Sequence, residues 1–182
     1  MQDQGKVFRK AMTRYRALHA KAPRIMGTVA VKLFKESFNR QGSIMKNNSI
    51  QPWKQRGASP KNRQGRALLT KTGRLKRSLT FSTAGNKVTV VSDTPYSKLQ
   101  NDGGVLTITP KMRRFFWGQY LRSGGKVVDG NPKGGDVFWY RMALHRGNKI
   151  TIPGRPFMYD TPEMVTRLNN QFAPMIRDIF KP

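Results

Sequence analysis

The sequence predicts an α+β fold: a small, mostly antiparallel β-sheet packed by an N-terminal helix and a C-terminal amphipathic helix, with a basic loop and an aromatic helical insertion. Three observations carry this expectation. Residues 22–38, APRIMGTVAVKLFKESF, set Ile25, Met26, Val29, Ala30, Leu33 and Phe34 at three- and four-residue spacing, the period of a helix with one apolar face. Residues 79–92 alternate instead, with Leu79 and Phe81 before Gly85-Asn86 and Val88 and Val90 after it, the pattern of a β-hairpin. Residues 161–180 open on Thr161-Pro162 and then place Val165, Leu168, Phe172, Met175, Ile176 and Ile179 in steps of three and four.

Taken in chain order, residues 6–20 carry sparse apolar positions, so residues 1–21 are expected to be a basic N-terminal arm or helix ahead of a single domain over 22–182. Pro23 suits the first turn of the helix and Gly42 its stop. Residues 39–66 read as a polar, basic loop in which Trp53 is expected to plug the edge of the core, with base stacking as the alternative. Leu68 and Leu69 lead into a Thr72-Gly73 turn before the hairpin. The segment PYSKLQNDGG ends in Gly103-Gly104, expected to be flexible, and VLTIT at 105–109 is a short strand. A helix opening at Pro110 and spanning 110–122 is strongly aromatic. A loop punctuated by Gly124, Gly125, Gly130, Pro132, Gly134 and Gly135 follows, and VFWYRMALHRG is a second aromatic helical piece. Residues 105–148 thus form an insertion whose aromatic segments pack on each other or on another subunit. KITI alternates as a strand. Thr161 is then a natural N-cap, with Pro162 at the first helical position and Glu163 at the positive end of the dipole. Pro174 predicts a kink or break in the last helix.

Charge narrows the function classes. Thirty-five Lys and Arg oppose nine acids in 182 residues, a net +26, and no acid occurs from Ser37 to Ser92. Such a chain repels copies of itself unless an anionic partner, nucleic acid or a negative protein surface, neutralises it. No stretch reaches the roughly 18 apolar residues of a membrane span, and no secretory signal is legible. The absence of cysteine excludes disulfides, thiolate metal sites and a thiol nucleophile.

Candidate chemistry is sparse. His19 and His145 have no metal-ligand spacing, and Asp129 and Asp136 flank a glycine loop without the third carboxylate a two-metal site needs. No phosphate loop, nucleophile elbow or paired-carboxylate pattern appears. The expectation is therefore no catalytic, metal or cofactor-binding residue, and no cofactor. The cations to inspect as contacts to DNA or to an acidic partner are Lys71, Arg74, Lys76 and Arg77 beside the hairpin and Arg113 and Arg114 in the insertion. Phe115, Phe116, Trp117, Tyr120, Trp139 and Tyr140 are a candidate subunit or partner interface, with an ordinary core as the alternative.

The segment IPGRPF constrains its own backbone. Pro153 ends the KITI strand, Pro156 holds Arg155 extended, and Phe157 is expected to anchor the turn in the core. Three partners stay open for the Arg155 guanidinium: backbone carbonyls of its own chain, an acid on a neighbouring subunit, or DNA.

Read together, LLTKTGRLKRSL, a hairpin, YSKLQNDGG, ITPKMRRFFWGQYL, a second aromatic segment and KITIPGRPFM before a C-terminal helix resemble the phage virion morphogenesis family, the Mu-like tail-completion proteins. The resemblance runs from about Pro23 to Phe180. It implies a non-enzymatic virion protein, made in the bacterial host cytoplasm and placed at the head–tail junction or upper tail end. It also implies a ring, hexameric by expectation, contacting neighbouring neck, connector and tail proteins and the backbone of packaged double-stranded DNA. Gln100 stands where family members often carry histidine, and Gly154 where alanine is more usual, a change expected to loosen the turn. The reading from another class is a free-standing, non-specific nucleic-acid-binding protein.

Overall fold

The computed structural model describes residues 4–57 and 65–181. Its first element is a single helix, α1 (Gln4–Arg40), about 55 Å long at 1.5 Å per residue. The expected division at residue 21 coincides with no break, and Pro23 lies inside the helix rather than in its first turn. Proline removes one backbone donor there, so packing must hold the helix together across it. The packing comes from α6 (Pro162–Ile179), which lies along α1. Arg14 reinforces the contact by donating to the α6-end carbonyls of Asp178 at 3.0 Å and Lys181 at 2.6 Å. The N-terminal segment is thus docked, from Arg14 onward, on its own chain. At the other end Gln41, not Gly42, takes the left-handed conformation with φ 55°. Its amide donates to the Phe38 carbonyl and accepts from the Leu68 backbone, tying the helix end to the next core segment.

Among the described residues all strand pairs are antiparallel, and they form four two-stranded ribbons rather than one sheet. β1 (Gly42–Ile44) pairs with β2 (Ile50–Pro52), and β3 (Leu79–Ala84) with β4 (Lys87–Ser92) around the two-residue Gly85-Asn86 loop. β5 (Gly103–Thr107) pairs with the distant β8 (Lys149–Pro153), closing the base of the insertion, and β6 (Lys126–Val128) pairs with β7 (Asn131–Lys133) in its tip. A short helix α2 (Arg74–Arg77) precedes β3, and α3 (Ser97–Asp102) precedes β5. Gly103-Gly104, expected to be flexible, are therefore ladder residues. The 123–136 loop likewise contains a ribbon that its glycines concealed.

The main core gathers Leu33, Phe34 and Phe38 of α1 with Ile44, Trp53, Leu68, Leu75, Leu79 and Phe157. α1 lies across the β3–β4 ribbon to complete it. Trp53 fills the core edge, meeting Phe38 edge-on at 5.5 Å. The insertion has its own small core of Ile108, Phe116 and Ala143, built between α4 (Pro110–Arg122) and α5 (Val137–Ala143).

Thr161 caps α6, its hydroxyl accepting from the Glu163 amide, and Pro162 opens the helix. The expected break at Pro174 is absent from the helix, whose proline is exposed to water. The stripe is shifted from the expected one: Val165 and Ile176 face solvent, while Met164 packs on the core and Ile179 is buried. Among the described residues no helix is long and apolar enough to cross a membrane.

Candidate functional site: an anchoring turn and a basic groove

The IPGRPF turn is held from four directions. Its strand β8 leaves the ladder at Pro153, opposite Gly103. The Arg155 amide then donates to the Gln100 carbonyl at 2.9 Å. The side-chain oxygen of Asn101 accepts from both the Phe157 and Met158 amides, at 2.9 and 2.8 Å. The Pro156 carbonyl in turn accepts from Ser43 Oγ and from Trp53 Nε1, both at 2.8 Å. Phe157 is fully buried, 5.1 Å from Phe38 between ring centroids. The end of α3, β1, the segment after β2 and the approach to α6 all meet at this turn.

Arg155 is 7% exposed and donates through Nε to the Lys54 carbonyl at 3.1 Å, a partner within its own chain. Burial pushes its guanidinium below the usual arginine value, and the nearby charge of Arg56 adds to the shift. Gly154 does not loosen this turn as expected. A Cβ there would stand 2.8 Å from the Asp102 carbonyl oxygen, so glycine permits two backbone segments to close on each other.

Both glutamates of the chain belong to one network that sequence reasoning missed. Glu36 bridges Arg40 at 2.9 Å and Arg167 at 2.7 Å, and Arg167 also reaches the buried Glu163 at 3.1 Å. Asn48 completes it, donating its amide to Glu163 and accepting from Arg167. Only the i,i+4 spacings of Glu36 with Arg40 and Glu163 with Arg167 were legible. The hydrogen bond from Arg167 holds the Glu36 carboxyl below its usual range; burial opposes this, and the charges of Arg167, Arg40 and Lys32 add to the lowering. A carboxylate with a depressed folded-state value stabilises the fold above the unfolded value, about 4.3. That contribution fades as pH falls through the lower folded value. Glu36→Gln is expected to cost roughly 1 kcal/mol at neutral pH, discounted for partial exposure. Chemical denaturation from pH 7 to 3 should show the gap from wild type closing as the medium becomes acidic; a gap constant with pH counts against the network.

The predicted cations separate into two groups. Lys76 and Arg77, on α2, face Lys35 and Asn39 of α1 across a depression of about 440 Å³ that also includes Thr70 and Gly73. A second depression of about 550 Å³ continues it along α1 past Lys32, Lys35, Glu36 and Asn39 to Phe81. Lys35, Asn39 and Lys76 line both, so the two form one groove. Lys76 Nζ donates to Asn39 Oδ1 at 2.6 Å across it. Lys71 and Arg74 are exposed on the chain leading into and through α2. Arg113 instead braces the insertion, donating to the Ala143 carbonyl at 2.9 Å and to Asn148 Oδ1 at 3.2 Å. Arg114 is exposed on α4 and does not line the groove. Lys32 and Lys35, the α1 contribution, escaped sequence reasoning because their spacing reads as an ordinary solvated helix face.

The aromatic residues of the insertion mostly serve its interior. Phe116 is buried and stacks on Trp139, while Tyr120, fully buried, donates to the Lys126 carbonyl at 2.6 Å. Trp117 and Tyr140 are half-buried and meet edge-on at 5.7 Å. Phe116 and Tyr120 therefore offer no surface to a partner, whereas Phe115 is 54% exposed. His145 contacts the Gly147 carbonyl and His19 lies beside Tyr15. Among the described residues no three His, Asp or Glu gather into a metal-holding group. The class these features define is a basic α+β protein with a grooved cationic face. Compared with family models, curated proteins and solved structures, the chain matches none.

Proposed function

We propose that this chain is a structural virion protein, one copy of an oligomeric ring that completes a phage tail or joins tail to head at the neck. The observation that carries the reading is the order and spacing of TGRLKRS, TPKMRRFFW and IPGRPF along nearly the whole chain. Their structural roles support it. TGRLKRS forms α2 and one wall of the groove, TPKMRRFFW forms the capped start of α4, and IPGRPF is the turn on which the core segments converge. The mechanism is geometric. Subunits present complementary surfaces to neighbouring rings, and a cationic face meets the DNA passage.

The test is cryo-electron microscopy of particles from the phage or induced prophage that encodes the chain, together with particles from a strain in which its gene is deleted. The expected result is ring density at the head–tail junction or upper tail end, and heads and tails that fail to join without it. Infectious, fully joined particles lacking the chain would overturn the proposal. The net +26 favours one rival, a nucleic-acid-binding protein acting alone, which requires function outside the particle.

A further inference from the structure

We infer that the groove between α1 and α2 is a binding track for the phosphate backbone of nucleic acid, with Lys32, Lys35, Lys76 and Arg77 as its contacts. The inference deepens the DNA-passage part of the proposed function but does not depend on a location at the neck.

Four cations from two elements line one continuous concavity. The one acid on its wall, Glu36, has one carboxylate oxygen on Arg40 and the other on Arg167, so it is already neutralised from behind. Among the described residues no carboxylate ion-pairs with the four groove cations, and only Glu36, already held by Arg40 and Arg167, offsets their mutual repulsion, through the charge of Lys32. A backbone with regularly spaced anionic oxygens relieves it at several points at once. Asn39 and Thr70 add neutral hydrogen-bonding groups suited to phosphate and sugar oxygens, and among the described residues no aromatic platform for unstacked bases lines the groove beyond Phe81 at one end. The site is thus fitted to charge and spacing rather than to sequence. An acidic protein surface is the rival occupant, disfavoured because it would have to repeat negative charge along the whole groove.

The experiment measures binding of a short fluorescein-labelled duplex by anisotropy across a salt titration. It uses the full chain, K32Q/K35Q/R77Q, the charge-matched control K10Q/R16Q/K21Q from exposed positions of the same helix, and the charge-retaining K32R/K35R/R77K. Circular dichroism and thermal unfolding establish that each variant is folded. For the groove variant, the slope of log K against log salt is expected to fall by about 2.7 and affinity by roughly tenfold or more near physiological salt. The control should change both less, and the charge-retaining variant should bind as wild type does. Equal losses in groove variant and control would overturn the inference in favour of undirected net charge. Absence of duplex binding by wild type would also overturn it. So would binding to poly-glutamate as tight as to DNA and equally lost in the groove variant, which would assign the groove to acidic protein. Each of these leaves the particle experiment to decide the virion reading separately.

Discussion

Truncating Phe157 to alanine is expected to lower the unfolding free energy by about 3–5 kcal/mol, a large share of the 5–15 kcal/mol typical of such a domain. The ring is fully buried against Phe38 and Trp53's neighbours in the main core, so its removal leaves a cavity rather than a surface. It also frees the turn whose amides Asn101 holds and whose carbonyl Ser43 and Trp53 hold. Urea denaturation measures the effect. The comparison is Phe115→Ala, a half-exposed ring on the insertion, expected to cost under about 1 kcal/mol. A Phe157→Ala loss no larger than that of Phe115→Ala would mean the IPGRPF turn is not the point on which the core closes.

Gly103→Ala is expected to cost about 3 kcal/mol, from two sources. Its backbone, φ 78° and ψ −175°, occupies a region essentially reserved for glycine, worth about 1–3 kcal/mol. In addition an added Cβ would stand 2.5 Å from the Gly154 nitrogen, so the β5–β8 ladder and the turn beyond it would have to part. Gly85→Ala is the comparison without the close approach: its φ of 55° lies in the left-handed region that Gln41 and Leu69 also adopt, nothing stands within 4 Å of the added carbon, and about 1 kcal/mol is expected there. Hydrogen exchange should show protection lost at Gly104 and Ile152, the hydrogen-bonded pair beside Gly103, in the Gly103 variant and retained in the Gly85 variant. Equal costs for the two substitutions would remove the close approach from the explanation.

Much of the local structure was readable before the fold. The helix over 22–38, the 79–92 hairpin, the Thr161 cap and the strand-like KITI run all depend on neighbours along the chain, whose periodicity and capping chemistry are local. Misreadings occurred where a strong local signal was overruled. Pro23 lies within α1, beyond its first turn, because packing along α1 and α6 outweighs one missing backbone bond, and Pro174 does not end α6. Gly103-Gly104 looked like a flexible pair because the partner that makes them a ladder, β8, lies some fifty residues on. Gly154 looked like a loosening substitution for the same reason, its close neighbour being Asp102.

Of the candidate site, the cation-rich α2 segment was legible from composition, but its partners were not. Lys32 and Lys35 join Lys76 and Arg77 only because α1 crosses the hairpin, and Arg113 leaves the set because the fold spends its guanidinium on the end of α5. The aromatic residues of the insertion divide in the same way, with Phe116 and Tyr120 turned inward and Phe115 outward.

By itself, then, the sequence determined the α+β class, the principal helices and strands, the strong positive charge and a fixed geometry at Pro153–Phe157. Only the tertiary structure decided that Asn101 clamps that turn, that Arg155 donates to the Lys54 carbonyl of its own chain, that Arg167 reaches Glu36, and which cations share a groove. The physical reason is distance along the chain. Periodicity and capping act over a few residues, whereas these contacts join residues 56 to 131 positions apart, or elements whose approach depends on the path of the whole backbone.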